Sequence, residues 1–139
     1  ANVGLMEATA EHVKKHGGSI TGIITHRICD YGKASRLPDE LIRVDTLGER
    51  KQMMLDKADV FIALPGGFGT LDEIFTVIAA GHLGYHDKKV VFCNTNGFYN
   101  LLINQIELFY RERFASPHYK NYYQIATNAE ECIRILENF

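Results

Sequence analysis

The sequence predicts an α/β protein built on a parallel sheet with helices on both faces. Three observations carry that expectation. Short apolar runs of strand length alternate with stretches of helical periodicity. The clearest runs, VFIAL (60–64) and VVFC (90–93), are continuously apolar, as strands buried on both faces are. The order reads α-β-loop-β-α-β-α-β-α-β-α, the alternation that joins parallel strands through crossover helices.

Residues 4–16 set Leu5, Met6, Ala8, Thr9, Ala10, His12 and Val13 in a roughly helical stripe, which Gly17 and Gly18 end. SITGIIT (19–25) reads as a short strand. Residues 26–41 read as irregular, with turn chemistry at Asp30-Tyr31-Gly32 and Pro38-Asp39. IRVD (42–45) is a short strand, the least marked of the set, and 47–57 a helix with Met53, Met54 and the following Ala58 inward. A strand over 59–64 leads through a glycine turn to a helix from about Leu71 to Ala80. Residues 89–94 form a buried strand, 98–114 a long amphipathic helix and 122–126 a last strand. The helix over 128–138 has Asn128 to cap it.

A chain of 139 residues fits a single domain with one core, spanning 1–139. Apolar residues make up 46% and charged residues 23%, the balance of a soluble globular protein. The net charge of -2 leaves no basic surplus for general nucleic-acid binding, which rests on neutralising phosphates. No apolar run approaches a membrane span. Cys29, Cys93 and Cys132 are far apart in sequence and form no CxxC or metal-ligand spacing. That pattern implies a reducing, cytoplasmic setting. The chain opens on Ala1 rather than Met, at a loop-to-helix junction, so the true N-terminus is expected upstream.

The segment with the most chemistry is ALPGGFGT (63–70). Pro65 closes the strand by withholding a donor. Gly66, Gly67 and Gly69 allow close approach to the backbone, and Thr70 can cap the next helix and donate a hydroxyl. The N–H groups and dipole of that helix start form an anion site. Asp72 and Glu73 fall in what the sequence places as the first turn. A tight strand-to-helix turn with acids at the helix start is the plainer reading, but three glycines exceed what a turn needs. No GK[ST] follows, so this is not a Walker loop, and Asp72 stands where a dinucleotide fingerprint needs its third glycine. Ligands of open parallel sheets sit beyond the carboxyl ends of strands, which is where this turn lies.

PGGFGTLDE (65–73) matches PGGxGTxxE, and the chain thereby resembles the LONELY GUY (LOG) family of phosphoribohydrolases, long labelled possible lysine decarboxylases. ERKQMM (49–54) looks like the RKxxM element of that family. LGYHDKKVVFCNTNGFYNLL (83–102) is similar to its LGxHxKP…N..G(F/Y)(Y/F)..L stretch, and ANVGLM (1–6) to the tail of GGGxxxGLMG. The resemblance implies a Rossmann-like three-layer fold and hydrolysis of the N-glycosidic bond of nucleoside 5'-monophosphates, cytokinin ribotides or AMP, without metal or organic cofactor. It also implies a homodimer. By position, Arg50 and Glu73 would be the catalytic pair. Gly66, Gly67, Gly69 and Thr70 would bind the 5'-phosphate, and Lys51 and Met54 would be further substrate contacts. The first strand, first helix, second strand and GGG element of the family have no counterpart here, so the fold is expected to be N-terminally incomplete. The loop over 26–41, which would shape the base pocket, matches the family poorly.

The chemistry suits those residue types. Breaking a C–N bond to a purine develops positive charge on the ribose, as in glycoside hydrolysis. A carboxylate beside C1' can stabilise that charge, position hydroxyls or activate water. A fixed cation can stabilise the departing base or the phosphate. Against this stand Glu73 as a surface helix acid, Arg50 as an ordinary helix-face cation with Lys51 its solvated neighbour, and Met54 as packing. A second function class is a non-catalytic nucleotide or molybdopterin-type carrier, which needs the phosphate cradle but no Arg50–Glu73 pair. His82 and His86 are four apart, but Gly81 and Gly84 mark a helix end and no further ligand completes a metal set. Cys93 is expected in the core.

Overall fold

A computed structural model describes residues 4–139; the first three residues of the ANVGLM likeness lie outside the described residues. The chain divides into two compact units, residues 1–57 and 58–139.

The first unit runs α1 (Gly4–Lys15), β1 (Thr21–Thr25), α2 (His26–Asp30), β2 (Glu40–Val44) and α3 (Leu47–Lys57). β1 and β2 pair in parallel, from Thr21 opposite Glu40 to Thr25 opposite Val44. Asp39 fixes where that ladder starts. Its N–H donates to the Ile20 carbonyl at 2.9 Å, and its carboxylate accepts from Ile20 N–H at 2.8 Å and from Lys14. The Lys14 ammonium, then the Ile20 N–H, hold the Asp39 carboxyl below the usual carboxylate range. α3 begins with a reciprocal cap. The Thr46 hydroxyl accepts from Glu49 N–H at 3.1 Å, while the Glu49 carboxylate reaches back to Asp45 N–H at 2.9 Å.

The second unit runs β3 (Val60–Ala63), α4 (Phe68–His82), β4 (Lys89–Cys93), α5 (Asn100–Arg111), β5 (Tyr123–Ala126) and α6 (Ala129–Leu136). Single 3-10 segments cover Thr95–Gly97 and Pro117–Tyr122. The sheet order is β3-β4-β5, all parallel, with Val60 opposite Lys89 and Val90 opposite Tyr123. β4 is central, and Val90, Val91 and Phe92 are essentially fully buried. That is why its sequence is apolar without alternation. Each such side chain contributes about 1.5–3 kcal/mol by leaving water. Tyr99 and Tyr123 both pack edge-on against Phe92, with ring centroids 5.3 and 6.0 Å away. α6 starts as the sequence predicts: Asn128 Oδ1 accepts from Glu131 N–H at 2.9 Å. Cys93 and Cys132 lie in one buried cluster with Val91 and Ala126.

The parallel strands and intervening helices match the sequence expectation, but their hydrogen bonds form two ladders, one in each unit. Periodicity marks a buried parallel strand without saying which strand lies beside it. Several boundaries also differ, among them β2 at Glu40–Val44 rather than 42–45 and α5 at Asn100–Arg111 rather than 98–114. The segment expected to be irregular contains α2, whose five residues are too few for a periodic signal. α4 starts three residues earlier than expected. Tyr122, expected to open the last strand, instead ends a 3-10 helix that Ser116 opens, its hydroxyl accepting from His118 N–H at 3.3 Å.

Candidate functional site

In the second unit, β3 ends at Ala63 and the chain turns through Leu64-Pro65-Gly66-Gly67 into α4. Gly67 is the N-cap, and the first helical bond runs from Leu71 N–H to the Gly67 carbonyl at 3.1 Å. The helix therefore absorbs Phe68, Gly69 and Thr70. Thr70 stands inside its first turn rather than capping it, and Asp72 and Glu73 lie beyond that turn rather than in it. The physical reason is that Thr70 packs back over Gly66, which closes the turn ahead of Phe68. The first N–H groups of a helix have no partner within it, so those of Phe68, Gly69 and Thr70 form the donor end of the α4 dipole.

The three glycines differ in what they do. A Cβ on Gly66 would run into the Thr70 hydroxyl, so only hydrogen lets Thr70 fold back over the turn. A Cβ on Gly67 or Gly69 would meet no described atom within 4 Å. Those two present bare backbone to open space, and Phe68 between them is 95% exposed. Glu73 is half-buried on α4, three residues past Thr70, which is about 4.5 Å along the helix axis. The turn, its amides and this carboxylate are thus assembled by one strand-helix junction. Such a site can hold an anion and act on an atom a few ångströms from it.

Tyr99 completes the junction, and the sequence reading did not single it out. Its hydroxyl donates to the Leu64 carbonyl at 2.5 Å. Burial raises the phenol above its ordinary pKa, partly opposed by the Gly66 N–H that faces the same oxygen. The loop after β4 delivers it. Asn94 Oδ1 accepts from Tyr99 N–H at 2.7 Å and Asn94 Nδ2 donates to Asn100 Oδ1 at 2.8 Å. Asn96 and Gly97 turn the chain in the left-handed region, at φ 55° and 69°, where glycine and asparagine are the tolerant residues. The signal was in the sequence as Asn94, Gly97 and Tyr99 of NTNGFY, used there only as a likeness.

In the first unit, Arg50 and Met54 lie one turn apart on α3 and line a cavity of about 250 Å³ with Met6, Ile23 and Leu41. Arg50 Nε donates to the Ile23 carbonyl on β1 at 2.9 Å, which fixes the guanidinium plane against the strand. Its place follows from the cap, since Arg50 N–H donates to the Thr46 carbonyl at 3.1 Å as the first bond of the helix. Lys51, its neighbour on α3, is half-buried. The structure thus brings Gly66, Gly67, Gly69, Thr70 and Glu73 together in one unit, and Arg50, Lys51 and Met54 on one helix of the other.

His82 is the last residue of α4, and Gly84 at φ 81° ends the helix. His86 Nε2 bonds to the Val77 carbonyl at 3.0 Å, and its Nδ1 accepts from Lys88 N–H at 3.0 Å. Among the described residues no group of three or more His, Cys, Asp or Glu could hold a metal. No helix among them is long and apolar enough to cross a membrane.

A family model described as possible lysine decarboxylase matches residues 6–136. The cytokinin riboside 5'-monophosphate phosphoribohydrolase LOG5 of Arabidopsis thaliana is 38% identical over 138 residues, 99% of this chain and 60% of that protein. The probable cytokinin riboside 5'-monophosphate phosphoribohydrolase LOGL9 of Oryza sativa subsp. japonica is 33% identical over 99% of this chain and 61% of its own length. The chain therefore spans about three fifths of the curated relatives it matches. Among solved structures, the molybdenum cofactor binding protein of Rippkaea orientalis superposes with a TM-score of 0.65 at 26% identity, over 99% of this chain and 72% of that one.

Proposed function

The chain belongs to the possible lysine decarboxylase family that includes the LOG proteins, and from that premise we propose that it hydrolyses nucleoside 5'-monophosphates to free base and ribose 5-phosphate. Cytokinin ribotides are the first substrates to try, because the curated relatives carry that activity in their names, and AMP the second. The observation that carries the reading is the strand-helix junction. Open amides at Gly67 and Gly69 suit a 5'-phosphate, and Glu73 follows one helical turn later.

In this reading water adds to C1' as the bond to the base nitrogen breaks, and the base leaves with a proton. Glu73 acts at the ribose, where positive charge develops. Arg50, its guanidinium plane held by the Ile23 carbonyl, balances negative charge on the departing base or the phosphate. Lys51 and Met54 contact the substrate beside it. Neither a metal nor an organic cofactor takes part. A homodimer in the cytoplasm belongs to the same reading. An apolar hollow of about 270 Å³ lined by Phe75, Phe109, Phe114 and Tyr119, with Phe114 85% exposed, is a surface suited to a second copy. Free thiols at Cys29, Cys93 and Cys132 suit a reducing compartment.

The test is chromatography of a nucleotide panel incubated with the protein. Free base and ribose 5-phosphate should accumulate, and Glu73→Ala and Arg50→Ala should each slow release at least ~10²-fold, the usual worth of a positioned acid-base or charge-stabilising group. If both variants match the parent, the assigned mechanism fails. The structural neighbour described as a molybdenum cofactor binding protein favours a second reading, a non-catalytic carrier of a nucleotide or molybdopterin-type phosphate ester. Tight binding with no base released over hours would select it.

A further inference from the structure

We propose that Tyr99 is the positioning residue of the phosphate-binding turn, a clamp whose single hydroxyl holds the backbone on both sides of Pro65. The inference rests on the phosphate reading of the glycine turn. Pro65 has no N–H, so Leu64 and Gly66, the residues flanking it, leave the β3 ladder with a carbonyl and an N–H to satisfy. Both are half-buried, where an unmet backbone group is costly. The Tyr99 hydroxyl bonds the first and sits beside the second. It donates to the Leu64 carbonyl at 2.5 Å, and the Gly66 N–H faces its oxygen. Tyr99 itself is 2% exposed and is held on three sides. Asn94 Oδ1 takes its N–H, Phe92 packs against its ring at 5.3 Å, and Phe98 does so at 4.9 Å.

The consequence is a division of labour among the turn amides. Gly66 N–H is directed at the phenol and serves the clamp. The N–H groups from Gly67 onward are the ones aimed at an anion. With Leu64 and Gly66 anchored, Thr70 folds over Gly66 and the helix start keeps one orientation. Such pre-organisation improves anion affinity by removing an ordering cost. Tyr99 acts on the ligand through the turn and does not touch it.

Tyr99→Phe removes one oxygen and keeps the ring that packs on Phe92. Tyr123→Phe is the control, since Tyr123 also packs edge-on against Phe92 but bonds the Tyr110 hydroxyl at 2.9 Å instead of the turn. Two readouts are needed: amide hydrogen exchange, and calorimetric binding of inorganic phosphate, AMP and adenosine. Tyr99→Phe should speed exchange across residues 66–70 and weaken phosphate and AMP about tenfold, the worth of one hydrogen bond, with adenosine unchanged. Tyr123→Phe should do neither. Unaltered exchange at 66–70 overturns the clamp, and so does equal weakening of AMP and adenosine, which is what loss of packing alone would give. The two possible failures separate. A parent protein that ignores both phosphate and AMP removes the phosphate reading and this assignment with it. A parent that binds them as tightly as Tyr99→Phe does overturns the clamp alone.

Discussion

A Cβ on Gly66 would collide with the Thr70 hydroxyl. Of the three glycines in the turn, Gly66 is thus the one that the packing of its own neighbour demands. Gly67 has open space where its Cβ would be, and its φ of -98° is one any residue adopts. Gly66→Ala should therefore push Thr70 aside, lower the melting temperature and weaken AMP at least ~10-fold, or about 1.4 kcal/mol. Gly67→Ala should leave melting unchanged and weaken AMP only, by placing a methyl in the open face. Thermal melts with calorimetry on both variants decide this; equal melting losses would contradict the packing argument.

Gly81 is a second glycine with a packing reason. It sits buried in the last turns of α4, and a Cβ there would overlap the Tyr122 ring. That ring cannot easily yield, with Lys89 Nζ over its face at 5.0 Å and His118 edge-on at 5.5 Å. Alanine in a helix gains up to about 1 kcal/mol over glycine, whereas overpacking costs about 1–3 kcal/mol. The overlap should win, with Gly81→Ala destabilised by ~1 kcal/mol in urea unfolding. Adding Tyr122→Leu should recover the helix gain. A stabilised single variant would show that Tyr122 moves freely.

Acid should loosen α6 first at its start. The Glu131 carboxylate accepts from the Thr127 hydroxyl at 2.5 Å and the Thr127 N–H at 2.6 Å, and these bonds hold its pKa below the ordinary value. A carboxyl whose folded pKa is depressed stabilises the fold above its ordinary value, and that stability is lost as pH falls through the folded pKa. Amide exchange over 129–132 should therefore rise as pH drops below about 4, the unfolded carboxylate range, after correction for intrinsic rates. Glu131→Gln should show faster exchange already at neutral pH and a flatter acid response. An identical acid profile in both proteins would exclude Glu131 as the titrating group.

Local chemistry was legible because neighbours in sequence make it. The cap that starts α3 joins Thr46 and Glu49, three residues apart. Asn128 could be named as a cap in advance, since its partner Glu131 is three residues away. The start of α4 was misplaced because Gly66 and Gly67 suit either an open loop or an early helix, and only the Thr70 side chain packed over Gly66 selects the second.

From the sequence came the α/β class, the parallel sense of the strands, the glycine turn at the end of β3 and Glu73 beyond it, because each depends on residues close along the chain. Tertiary structure decided the rest. Tyr99 reaches Leu64 across 35 positions and Arg50 reaches Ile23 across 27. Periodicity repeats over two to four residues and carries no information at that range. Those contacts exist only once strands have paired and buried their apolar faces, and they hold the turn and the guanidinium in place.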